Sequence, residues 1–128
     1  MAKAWYGNRD IHYEIWVRAS AKVVELGLHF EADGLTNARL IGAFRGRARE
    51  VKRGLGADAR IEEWDKGWAR VWEPFPFDAP DLQERVRARF CEYVRVLEPI
   101  LRDELPSDLE WKEAPKRRPK AISSRASR

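Results

Sequence analysis

The residues best suited to coordination chemistry in this chain are its two histidines, His12 and His29, each with a glutamate two places on, Glu14 and Glu31. Imidazole nitrogen with carboxylate oxygen is a donor set for divalent transition metals. On a strand, residues two apart share a face, so whether the four meet is a question of strand pairing. Ile11, Tyr13, Ile15 and Val17 alternate with His12, Glu14, Trp16 and Arg18; after Ala19-Ser20-Ala21-Lys22, Val24, Leu26, Leu28 and Phe30 alternate with Val23, Glu25, Gly27, His29 and Glu31. This predicts an antiparallel hairpin with one dry and one wet face. The dry sets share a face only if Val17 opposes Val24, Ile15 opposes Leu26, Tyr13 opposes Leu28 and Ile11 opposes Phe30. The same register sets His12 opposite His29, with Glu14 and Glu31 beside them. A metal site of His12, Glu14, His29 and Glu31 is one expectation; polar alternation on a wet face would produce the same residue types.

Other chemistry finds less support. A Mg²⁺ nuclease needs an acid on one strand beside Asp/Glu-x-Lys on the next; Glu50-Val51-Lys52 falls on a helix and Glu110-Trp111-Lys112 at the end of the fold. No glycine-rich phosphate loop, cysteine pair or Ser-His-Asp arrangement is present, and the single cysteine, Cys91, has no basic or histidine motif beside it to lower its pKa. One cysteine forms no internal disulfide, so a reducing cytoplasm is the expected setting. The N-terminus shows no signal-peptide pattern and no apolar run reaches transmembrane length, so no membrane contact is expected.

The remaining elements must cover the hairpin's dry face. Leu40, Ile41, Phe44, Ala48, Val51 and Leu55 recur at helical spacing, with Thr36 as the expected N-cap and Gly54 or Gly56 as the stop; Gly42 and Gly46 weaken this helix internally. Residues 59–66 and 68–77 form a second expected hairpin around Asp65-Lys66-Gly67, with a bulge near Glu62-Glu63 and an edge where Pro74 and Pro76 fall. Its second strand puts Ala69, Val71 and Phe75 on one side, Trp68, Arg70 and Trp72 on the other. A long helix then starts from a cap at Asp78, carries Leu82, Val86, Phe90, Tyr93, Leu97 and Leu101 as its stripe, kinks or splits at Pro99 and ends by Pro106. The expected fold is α+β: ββαββα, a four-stranded antiparallel sheet with two helices packed on one face, in a single domain over residues 1–111.

Four tryptophans, Trp16, Trp64, Trp68 and Trp72, are expected on the sheet face away from the helices, and large aromatics there favour an interface with a protein partner or a second copy of the chain. Residues 1–9 offer an alternative cover for that face. The net charge is +4 over 128 residues, but residues 112–128 hold seven basic side chains against one acid. Residues 1–111 then hold 18 basic and 20 acidic side chains. The basicity belongs to a polar tail, expected to be disordered. Arg45, Arg49, Lys52 and Arg53 on the first helix, with Lys116, Arg117, Arg118 and Lys120 in the tail, are the candidate phosphate contacts for non-specific nucleic-acid attraction.

The order of these motifs resembles a known family. It consists of His12-Tyr13-Glu14-Ile15, the strand from Val23 to Phe30, Asn37 at the helix start, Phe44, Leu55-Gly56, Glu63-Trp64, Arg70-Val71 and a closing long helix. It is similar, over about residues 10–104, to a bacterial and archaeal domain-of-unknown-function family whose members occur alone or as the C-terminal part of restriction-nuclease-like proteins. The resemblance implies a DNA-transaction or defence context and brings no catalytic residues and no cofactor. The sequence thus reads as a non-catalytic binding or interaction domain, with the aromatic face for protein contact and the tail for phosphates. The alternatives are a metal-dependent hydrolase or nuclease using His12/His29, and a chaperone-like dimeric module.

Overall fold

A computed structural model of the chain describes residues 2–5, 7–105 and 121–123. Strand β1 (Ala2–Trp5) leads into the first hairpin, β2 (Ile11–Arg18) and β3 (Val23–Phe30). Helices α1 (Gly34–Gly46) and α2 (Ala48–Leu55) follow, then β4 (Arg60–Trp64), a 3₁₀ turn, β5 (Trp68–Pro76), α3 (Leu82–Glu104) and a three-residue strand, β6 (Ala121–Ser123). The antiparallel sheet runs β4-β5-β3-β2-β1-β6. Four strands were expected. The additional main strand is β1, which pairs Ala2 with Ile15 and Ala4 with Tyr13, so the N-terminal segment widens the sheet instead of lying over its face. Of the tail expected over 112–128, only β6 lies within the described residues.

The first hairpin has the register demanded by its two apolar sets, from Ile11 opposite Phe30 to Val17 opposite Val24. Tyr13, Leu26, Leu28, Phe30, Ala69, Val71 and Phe75 form one core with Leu40, Ile41, Phe44, Val51 and Leu55 and with Tyr93, Leu97 and Leu101. All three helices therefore cover the same face.

The first helical stretch is two helices, not one. The break comes directly after Gly46, where the helix has no Cβ to hold it, and Arg47 carries the turn with its guanidinium on Glu50, Asp103 and Glu104. Its N-cap is Asp33, not Thr36: one carboxylate oxygen accepts from the Thr36 N–H at 3.3 Å and the other from its hydroxyl at 2.6 Å. Those bonds hold the Asp33 carboxyl below its usual range. Asn37 ties this end down, accepting from Ala32 N and donating to the carbonyls of Ala32 and Gly67.

In the second hairpin β4 and β5 pair without a bulge, from Arg60 opposite Trp72 to Trp64 opposite Trp68. Residues 73–76 extend past β4 and keep only β3 as neighbour, which is how Pro74 and Pro76 are accommodated. Helix α3 starts at Leu82 with Asp81 in the left-handed region, so Asp78 belongs to the preceding turn. Pro99 is contained within a single helix from Leu82 to Glu104, and Leu105, before Pro106, has left helical geometry. No helix among the described residues is long and apolar enough to cross a membrane.

Candidate metal centre

The face of the sheet opposite the helices carries the polar half of each alternation. Because β2 and β3 pair in the register above, His12 sits directly opposite His29. Glu14 follows His12 by two on β2, and Glu31 follows His29 just past β3, where its N–H still bonds Asp10 O at 2.8 Å. His12, Glu14 and His29 are 1%, 1% and 2% exposed, far drier than a wet face would leave them.

The four side chains converge. The imidazole rings stack with centroids 5.6 Å apart and 8° from parallel. His12 Nε2 lies 3.0 Å from Glu14 Oε1 and 3.9 Å from Glu31 Oε1, and His29 Nδ1 lies 3.2 Å from Glu31 Oε2. One donor atom from each residue falls within 4.8 Å of all the others. Donors about 2.0–2.2 Å from a tetrahedral ion stand about 3.3 Å apart, so this group needs only small adjustment to close on one. His12 Nδ1 faces the Arg9 carbonyl at 3.1 Å, an acceptor only, so this nitrogen carries a hydrogen and Nε2 points to the carboxylates. A backbone carbonyl on the second nitrogen is how ligating histidines are commonly oriented. Burial pushes the His29 imidazole below its ordinary pKa, against the pull of Glu31 and Glu14, which favours the neutral, ligand-competent ring.

Trp64 sets its ring edge against His29, 5.8 Å between centroids and 80° between planes. It also lies in a row with Trp16 at 6.4 Å and Trp68 at 6.0 Å. These three are half-buried, whereas Trp72 is buried and lies outside the row. The residue that sequence reasoning undervalued is Arg70. It pairs with His29 across β3–β5 and lies 3.8 Å over the Trp72 ring and 4.3 Å from Trp64. Glu25 at 2.9 Å and Glu62 at 2.9 Å hold its guanidinium. The only sequence signal was its place between Trp68 and Trp72 on one side of a strand.

The candidate phosphate contacts are dispersed. Arg45, on α1, is paired with Glu63 at 3.0 Å, and Lys52, on α2, donates to the carbonyls of Ala57 and Ala59. Arg49 and Arg53 are exposed on α2. Lys116, Arg117, Arg118 and Lys120 lie outside the described residues. Cys91 is a free, exposed thiol. No family model matches the chain, and neither the curated proteins nor the solved structures provide a match.

Proposed function

We propose that this chain is a metal-binding domain that holds one divalent ion of the zinc class through His12, His29, Glu14 and Glu31. The convergence of four donor atoms within 4.8 Å, three on the paired strands β2 and β3 and one just past β3, is the observation that carries the reading. Two imidazoles and two carboxylates complete a tetrahedral shell without water, the arrangement of a structural rather than a hydrolytic ion. The function is accordingly binding, and the hydrolase alternative would require one carboxylate to leave the shell. The ion would clamp β2 to β3 and, through His29, set the Trp64 ring. The row Trp16–Trp64–Trp68 would then be a preorganised surface for a protein partner or a second copy of the chain, with the basic tail as an arm for phosphates.

Titration of the metal-free protein with Zn²⁺ by calorimetry tests this. One ion per chain should bind, and a hundredfold excess over Kd should raise the melting temperature by on the order of 10 °C. His29→Ala and the milder Glu31→Gln should each weaken binding by tenfold or more. An unchanged melt across millimolar Zn²⁺, Mn²⁺ and Ni²⁺ would leave the four residues as a buried hydrogen-bonded cluster and end the proposal.

A further inference from the structure

A cavity of about 770 Å³ opens on the helix side of the sheet, beneath the N-terminal half of α3 and on the face opposite the histidines. Its cause is a mismatch of side-chain size. The helix-side residues of β1 are Ala2 and Ala4, paired with Ile15 and Tyr13, so this end of the sheet offers little volume to meet α3. Ile15, Val24, Val86 and Phe90 line the space, and Val17 and Phe77 stand at its mouth, 53% and 40% exposed. The volume is that of an ordinary small-molecule site, roughly 300–1,000 Å³.

The polar lining has one sign. Among the described residues no carboxylate borders the cavity, and the charged residues that do are Lys3 and Arg87. Lys3 pairs with Glu14, so its side chain belongs to the opposite face. That leaves Arg87, with Gln83 one turn earlier on α3, as the polar rim. Arg89 and Arg102 on the same helix are bound to Glu73 and Glu98; among the described residues Arg87 has no carboxylate partner. An apolar chamber with a planar, bidentate cation and an amide at its lip is complementary to hydrocarbon ending in a carboxylate.

We propose that this cavity binds one free long-chain carboxylate, its chain against Ile15, Val24, Val86 and Phe90 and its head on Arg87 and Gln83. The site is independent of the metal centre. Calorimetric titration with dodecanoate below its micellar concentration should give one ligand per chain at micromolar Kd. Dodecyltrimethylammonium, the same chain with a positive head, should bind at least tenfold more weakly. Arg87→Gln should cut dodecanoate affinity about tenfold and erase the preference between heads, while the exposed position leaves the melting temperature unchanged. Val17→Glu, placing an anion at the mouth, should abolish binding, and bound dodecanoate should slow alkylation of Cys91 at the cavity wall. Failure to bind at millimolar dodecanoate, or equal affinity for both head groups, overturns the proposal. So does a concentration-dependent dimer in sedimentation that Val17→Glu dissolves and dodecanoate does not, because the apolar wall then belongs to a second copy of this chain.

Discussion

The His12 and His29 rings stack face to face across the β2–β3 ladder, 5.6 Å apart and 8° from parallel. Two stacked imidazoles cannot both be protonated without mutual repulsion, and burial already lowers the pKa of His29. The unfolded chain therefore takes up a proton at His29 near pH 6.5, before the folded chain does. Stability from this residue is present above that value and is lost as the pH falls through it toward the lower folded pKa. Thermal melts of metal-free protein from pH 8 to pH 5 should show this fall, and His29→Asn should flatten it. Added Zn²⁺ should steepen the acid limb, because protons compete for the ligands.

Arg70 is the cation on which the middle of the open face depends. Removing it leaves Glu25, 7% exposed, with only the longer contact to Arg18 at 3.4 Å, and strips the cover from Trp72. Arg70→Ala should cost about 3–5 kcal/mol in urea unfolding. Arg70→Lys retains charge but not the planar stacking, and should recover only part of that loss.

Two glycine-to-alanine changes should have opposite signs. At Gly27 a Cβ would stand 2.7 Å from both Trp72 Cβ and the Val71 carbonyl oxygen, and backbone cannot yield there; Gly27→Ala should destabilise by about 2 kcal/mol or more. At Gly42 nothing lies within 4 Å, and in mid-helix Gly42→Ala should stabilise by about 0.5–1 kcal/mol. Chemical denaturation of the two variants reads both.

Deleting residues 112–128 removes seven basic side chains and one acid. Binding to generic DNA should fall sharply, and the slope of log affinity against log salt should flatten. Equal binding by the shortened chain, measured by fluorescence anisotropy, would transfer the role to Arg49 and Arg53.

Much of the candidate centre is legible in the sequence because a strand has only two faces. With Ile11–Val17 and Val24–Phe30 both needing the dry side, one pairing remains, and it sets His12 against His29 before any contact is seen. That Ala69, Val71 and Phe75 face the helices follows in the same way. The capping of α1 by Asp33 was misplaced because Thr36 and Asp33 are both good caps, and only their mutual hydrogen bonds decide between them. Ala2–Trp5 is too short to show a period, so its pairing with β2 rests on an edge that exists only after the hairpin has formed.

The sequence alone therefore determined which residues share a face: the apolar sets of the first hairpin and of β5, the His-Glu positions and the tryptophans. Tertiary structure decided what meets each face. Glu73 occupies a core-facing position on β5, and it is tolerable there only because Arg89 and the Tyr93 hydroxyl, from α3, both bond its carboxylate. Arg70's shelter between Trp64 and Trp72 and the cavity under α3 have the same origin. Alternation is a property of the local backbone and can be read in one strand, whereas a partner for a buried charge, or the space left beside an alanine, depends on side-chain volumes and charges from segments far away in the chain.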